Sequence, residues 1–148
     1  MKSLVALYRK LTSLLSALNF FPPLLARITV GYVFAESGWG KIHNIPKVAE
    51  FFVELKLPAP LFQAHLVAYT ELIAGALVFI GLATRLASIP LIITMVVALL
   101  TAKAEDIAGL SDLFGTSEFL YVVLLVWLLI AGPGRASLDH LFDRSQRR

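Results

Sequence analysis

The chain is 148 residues long, carries a net charge of +3, and contains 58% hydrophobic residues, 16% charged residues and no cysteine. An ordinary soluble domain is roughly a quarter charged, and at a mean hydropathy of +0.80 one small core cannot hide this much apolar side chain, so the composition excludes a conventional soluble fold and points to a bilayer. The missing cysteines exclude thiol-disulfide exchange, covalent haem attachment, thiolate zinc and iron-sulfur clusters, leaving any redox role to a bound organic cofactor or a partner.

Residues 1–21 open with Lys2 ahead of an apolar stretch, but Arg9 and Lys10 interrupt it and no small-residue cleavage site follows, which argues against a signal peptide. Leu4, Leu7, Tyr8, Leu11, Leu14, Leu15 and Leu18 recur at helical spacing, with Ser3, Arg9, Lys10, Ser13 and Ser16 on the other face. The pattern predicts an amphipathic helix lying on the membrane surface. Pro22 and Pro23 break it and open a new helix.

Residues 22–41 form the first predicted span, about 20 residues for a hydrocarbon core of roughly 30 Å, and they carry Arg27, Glu36, Ser37 and three glycines. Residues 44–56 are too short and too charged to span. Asn44 at the N-cap, Pro46 in the first turn and the face formed by Val48, Phe51, Phe52 and Leu55 predict a second interfacial helix, closed by Pro58 and Pro60. Further spans are expected over 61–81, after which a turn runs from Leu82 to Arg85, over 86–102, with Pro90 in or near the first turn, and over 117–131. A polar loop precedes the last span, and Gly132, Pro133 and Gly134 end it. The fold class is therefore an all-α integral membrane four-helix bundle. It forms one domain over 1–148, with a charged tail over 132–148.

Four spans place both termini on one side. That side receives eight of the 13 lysines and arginines (Lys2, Arg9, Lys10, Arg85, Arg135, Arg144, Arg147 and Arg148), whereas Lys41, Lys47, Lys56 and Lys103 fall on the other. The positive-inside rule makes the termini cytoplasmic. The basic charge is then mostly a topology signal with some attraction to anionic lipid, and nucleic acid is not an expected partner.

Ionisable groups inside spans cost about 2.5–3.5 kcal/mol each on insertion scales and ask for a reason. At about 1.5 Å per residue from the expected cytoplasmic ends, Arg27 lies about 7 Å deep, Glu71 about 15 Å and Glu36 about 21 Å. Arg27, Gly31, Phe34, Gly38 and Lys41 share one helical stripe, and Ala64, Ala68, Glu71, Gly75 and Val78 share another. Gly31, Gly38 and Gly75 are the expected packing positions, because small residues let helices approach closely in lipid. Two readings of Arg27 and Glu71 stand side by side: a buried ion pair that orients the bundle, or, with Lys41, the lining of a polar pocket for a small ligand such as a quinone head group. Glu36 falls on the opposite face and needs another partner. His43 and His65 read as interfacial without a convergent third ligand, so no metal site is assigned. Trp39 reads as an interfacial anchor, and Trp127 as packing on lipid or a neighbouring helix. No phosphate-binding loop, dinucleotide fingerprint or nucleophile elbow is present.

The order of Arg27, Gly31, Phe34, Gly38 and Lys41, then Glu71, Gly75, Gly81, Thr84 and Arg85, then Gly132, Pro133, Gly134, Ser137, Leu138 and Asp139 resembles the DoxX family of small bacterial membrane proteins. The resemblance covers about residues 25–139 and implies a four-helix inner-membrane protein linked to redox metabolism. The family takes its name from a subunit of an archaeal thiosulfate:quinone oxidoreductase, and other members are associated with sulfur handling and oxidative-stress defence. Three functions follow as expectations. One is an accessory or quinone-proximal subunit with a redox partner protein and quinone as the cofactor. Another is a binding or transport module for a lipid or small hydrophobic molecule, in which Glu36 and Glu71 carry protons. The third is a structural partner subunit without its own activity. Membrane lipid and a second copy of the chain are further expected partners.

Overall fold

The computed structural model describes residues 2–146, which form helices and connecting turns with no strand. Arg147 and Arg148, counted in the charge asymmetry, and the side chains of Lys2, Ser3, Leu7 and Leu11 lie outside the described residues. In chain order the helices are α1 (Lys2–Ala17), α2 (Phe21–Ile42), α3 (Ile45–Glu54), α4 (Pro60–Ile80), α5 (Thr84–Leu100), α6 (Leu110–Gly115), α7 (Ser117–Ala131) and α8 (Leu138–Gln146).

The most intimate packing is between α2 and α4, and glycine makes it possible. A Cβ on Gly31 would lie 2.5 Å from the Phe79 nitrogen, and one on Gly75 would lie 2.5 Å from the Ala35 nitrogen. A Cβ on Gly38 would strike the Leu72 nitrogen and the Ala68 carbonyl. These three approaches define one antiparallel register, in which Gly31 faces Phe79, Ala35 faces Gly75 and Gly38 faces Leu72. Helix α5 then packs on α4, and α7 packs on both α5 and α2, which closes a ring of four helices.

The interior of the ring holds Val30, Phe34, Val78, Leu91, Leu125 and Leu128, all essentially buried. Large apolar side chains point outward instead: Leu86 is 71% exposed, Leu100 72% and Ile130 72%. An exterior this apolar is stable against hydrocarbon and not against water, so the fold is that of an all-α membrane protein. Among the described residues α4 is the one helix long and apolar enough to cross by itself. Helices α5 and α7, with 17 and 15 residues, are apolar but reach only about 26 and 22 Å, short of a hydrocarbon core of roughly 30 Å.

Several elements differ from the sequence expectation. Helix α1 is separate from α2, as expected, and residues 8–16 meet α2 at a bend of 44°. The junction stays coiled through Leu18 N–H to Leu15 O and Phe21 N–H to Leu18 O hydrogen bonds, so Pro22 and Pro23 bend the chain without reversing it. Asn44 occupies the cap position of α3, yet its side-chain amide donates backwards to Gly40 O at 2.9 Å and closes α2. Helix α5 starts two residues earlier than expected and carries Pro90 inside it. The predicted polar loop contains α6, whose start is tied by Asp112 accepting from the Ala108 and Gly109 nitrogens. The charged tail forms α8, capped by Ser137 accepting from His140 N–H at 3.2 Å.

Valine at Gly31 or Gly38 is expected to lower stability by about 1–3 kcal/mol, the usual range for overpacking. Gly40→Ala, where nothing lies within 4 Å of the added Cβ, is expected to leave stability equal or slightly higher. Thermal unfolding of the purified protein in one detergent checks both outcomes.

Candidate functional site: a charged cavity between α2, α4, α5 and α7

The α2–α4 register brings Lys41, in the last turn of α2, over Glu71 in the middle of α4. Lys41 Nζ donates to Glu71 Oε2 and, at 2.8 Å, to Ser37 Oγ one turn earlier on its own helix. Glu71 is 1% exposed, while the Lys41 side chain keeps 27%. An ammonium has three protons, so Nζ retains one donor beyond these two bonds. On the carboxylate, Glu71 Oε1 has no hydrogen-bond partner among the described residues. The pair is therefore half-satisfied on each side, with one donor and one acceptor to spare.

Both groups line a cavity of about 650 Å³. Helix α3 roofs it with Phe52 and Leu55 and buries no residue of its own, in keeping with an amphipathic cover. Helix α7 contributes Tyr121, whose ring meets Phe34 edge to face at 5.7 Å between centroids. Thr70, adjacent to Glu71, Gln63 on α4, Thr94 on α5 and Thr101 just after it add neutral polar groups to a largely apolar wall. Lys103 and Glu118 stand on the lining nearer the loop.

Arg27 does not reach Glu71. With Gly31 facing Phe79, Arg27 one turn earlier faces the α4–α5 turn, about 12 residues and so about 18 Å along α4 from Glu71. The expected depths measured both helices from flush ends, whereas α2 extends below the end of α4. Arg27, 4% exposed, donates from Nη2 to Ala136 O at 2.5 Å, while Nε and Nη1 have no partner. A Cβ on Gly81, which has φ +75°, would collide with Nη1. Asp139 holds the same turn: Oδ1 accepts from Ala83 N–H at 2.7 Å, Oδ2 accepts from Thr84 N–H at 3.0 Å, and its own N–H donates to Gly81 O at 2.9 Å. Arg85 donates to Ile130 O at 3.1 Å. Arg27, Gly81, Thr84, Arg85, Ser137 and Asp139 thus form a structural junction at the opposite end from the cavity.

Glu36 is exposed on the outer face of α2 and has no hydrogen bond or ion pair among the described residues. His43 and His65 are exposed and bond the Trp39 and Leu61 carbonyls of their own helices at 2.9 Å. Trp39 and Trp127 are both on the exterior. Of the four charged residues singled out from sequence, the structure brings Lys41 and Glu71 together and separates Arg27 and Glu36 from them. Ser37, Thr70 and Tyr121 join the cavity without having been singled out as site residues. The signal that would have paired Lys41 with Glu71 is the glycine spacing, since Gly31 and Gly38 on α2 can straddle Gly75 on α4 in only a narrow set of registers.

Residues 23–104, from the first turn of α2 to just past α5, match the DoxX family model. The chain belongs to the DoxX family. Among curated relatives of this DoxX protein, one of Bacillus subtilis, named "Putative oxidoreductase CatD", is 34% identical over 78% of this chain and 83% of its own length. Another, from Mycobacterium tuberculosis and named "Uncharacterized membrane protein Rv3486", is 33% identical over 83% of each. The Escherichia coli "Inner membrane protein YqjF" is 27% identical over 82% of this chain and 92% of its own length. No solved structure matches. The DoxX match contains Arg27, Lys41, Glu71 and Gly81 but stops before α7 and Asp139.

Lys41→Met leaves the Glu71 carboxylate buried without its cation and is expected to cost about 3 kcal/mol, the low end for breaking a buried pair because Lys41 is partly exposed. Lys41→Met combined with Glu71→Leu is expected to recover most of that loss, as read by thermal unfolding. A charge exchange between Arg27 and Glu71 is expected to give no rescue in the same assay.

Proposed function

We propose that this DoxX protein is a quinone-proximal subunit of a membrane redox system, holding the head group of a quinone in the Lys41–Glu71 cavity and presenting it to a redox partner protein. The observation that carries the reading is the spare donor on Lys41 Nζ beside the spare acceptor on Glu71 Oε1, inside an apolar cavity of about 650 Å³. Those residues fit such a group in both of its redox states. The remaining Nζ proton suits a carbonyl oxygen, Glu71 Oε1 suits a hydroxyl, and Phe34, Phe52 and Tyr121 offer flat apolar surface to a ring. A quinone supplies two-electron, two-proton chemistry when bound; the chain supplies orientation, exclusion of water and a carboxylate able to hold a proton. The absence of cysteine agrees with this division of labour, and the relative named as a putative oxidoreductase supports a redox setting.

The same reading includes topology. The concentration of basic residues near the termini and the α4–α5 turn favours a cytoplasmic side for that end, and an inner-membrane location agrees with the name of the E. coli relative. The cavity then opens toward the outer half of the bilayer. A second reading, a binding or transport module for a lipid or small hydrophobic molecule, is favoured by the largely apolar lining.

Titration of the purified protein in lipid nanodiscs with a short-tailed quinone separates them. Under the first reading Lys41→Gln and Glu71→Gln each weaken binding at least tenfold while the helical signature is retained. Unchanged affinity in both variants would overturn it. Under the second, Glu71→Gln abolishes proton-coupled uptake of the hydrophobic molecule into liposomes, and retained uptake counts against a proton role for that residue.

A further inference from the structure

On its α4–α5 side the cavity shares a thin wall with a second hollow. Leu66, Thr70 and Pro90 line the cavity, and the same three residues also line this more open hollow of about 620 Å³ on the outer face of α4 and α5. Thr70 and Glu71 are neighbours on α4, so their side chains point about 100° apart around the helix. Glu71 turns toward α2 and Lys41, and Thr70 turns toward α5. Thr70 therefore stands between the Glu71 side of the cavity and the outer hollow. The floor of that hollow is made of small side chains, Ala74, Ala83 and Ala87, and its sides of Ile73, Leu77 and Leu86. Ile73 and Leu86 are 58% and 71% exposed, so the walls stand out into the hydrocarbon layer with a channel between them.

This shape suits a chain. A polar head has nothing to bond along the alanine floor, whereas an alkyl or isoprenoid tail lying on it would fill the channel and continue into the surrounding lipid. We infer that the groove between α4 and α5 is the seat of the apolar tail of an amphiphile whose head occupies the Lys41–Glu71 cavity, with the gap at Leu66, Thr70 and Pro90 as its lateral portal from the bilayer. The inference rests on the proposed head-group site and adds that the ligand is long-tailed and enters sideways. Polarity supports the assignment of ends, because charge is confined to the inner cavity and the groove carries only Thr70, His65 and Tyr69 as polar lining. Pro90 has a part in the portal: lacking an N–H, it leaves α5 one hydrogen bond short at this level, the place where the α4–α5 seam opens.

The test uses the full chain in nanodiscs with three probes: a quinone without a tail, the same quinone with a long isoprenoid tail, and an isoprenoid alcohol of matching length without the ring. Thr70→Phe blocks the portal. Ile73→Trp, at an exposed position, crowds the groove with little risk to folding, which circular dichroism checks. The expected result is that the tailed quinone binds the unmodified protein at least tenfold more tightly than the tail-less one, that Ile73→Trp, outside the head-group cavity, lowers its affinity to the tail-less level while changing tail-less binding less than twofold, and that Thr70→Phe, which narrows both the portal and the cavity, also lowers tailed binding. Equal affinities of the two quinones for the unmodified protein, or equal weakening of both by Ile73→Trp, would overturn the groove assignment. Binding of the isoprenoid alcohol that is lost in Thr70→Phe and Ile73→Trp, without binding of the tail-less quinone, would keep the groove and refute the quinone head-group reading.

Discussion

The backbones of α2 and α4 approach more closely than any side chain would permit, and the other features of the molecule are placed by that contact. In lipid there is no hydrophobic force to press helices together, so the approach depends on removing Cβ atoms where the backbones meet. Gly31, Gly38 and Gly75 do this at three levels of one antiparallel register. Once the register is set, no freedom remains about which charges meet. Lys41 falls on Glu71 at one end, and Arg27 falls beside Gly81 at the other. The cavity and the junction are thus two outcomes of a single packing decision, and a slip by one helical turn would unpair both.

The two ends treat their carboxylates in opposite ways. At the cavity, the ion pair is placed against open volume and keeps a donor and an acceptor unspent. At the junction, the carboxylate is consumed by backbone: both oxygens of Asp139 are used on the first amides of α5, while Arg27 holds Ala136 O through one nitrogen and leaves Nε and Nη1 unpartnered among the described residues. A carboxylate whose oxygens are both engaged by N–H groups serves architecture. One with an oxygen free beside an ammonium and a cavity is available for chemistry. This contrast, more than the mere presence of charge in a span, separates the residues with a structural task from those that suit a ligand.

Much of the fold was legible in the sequence, because membrane helices announce themselves by composition and their ends by proline and glycine. The helices over 21–42, 60–80 and 117–131 lie within a residue or so of their expected bounds. What was not legible was relative height. Depth counted from proline or glycine markers assumes that neighbouring helices start level, and α2 does not, so Arg27 was matched with the wrong carboxylate. The short helices α6 and α8 were also hidden: each has only one brief apolar stripe, Leu110, Leu113 and Phe114 or Leu138, Leu141 and Phe142, set among polar and charged residues, and starts on a side chain bonding to backbone, Asp112 or Ser137. Thr70 and Tyr121 carry no sequence signal at all; they matter only because of the cavity they face.

The capping of α5 by Asp139 has a consequence for how the chain is made. The amides of Ala83 and Thr84 are synthesised 56 and 55 residues before the carboxylate that satisfies them, with α7 still to be threaded in between. Until Asp139 emerges, the amides at the start of α5 lack the carboxylate that caps them in the finished fold and must draw their partners from elsewhere. Assembly therefore has a final step written into its order. The segment after Gly134 supplies both the carboxylate that caps α5 and the Ala136 carbonyl that receives Arg27, so the turn and the buried guanidinium are completed by the same late stretch of chain.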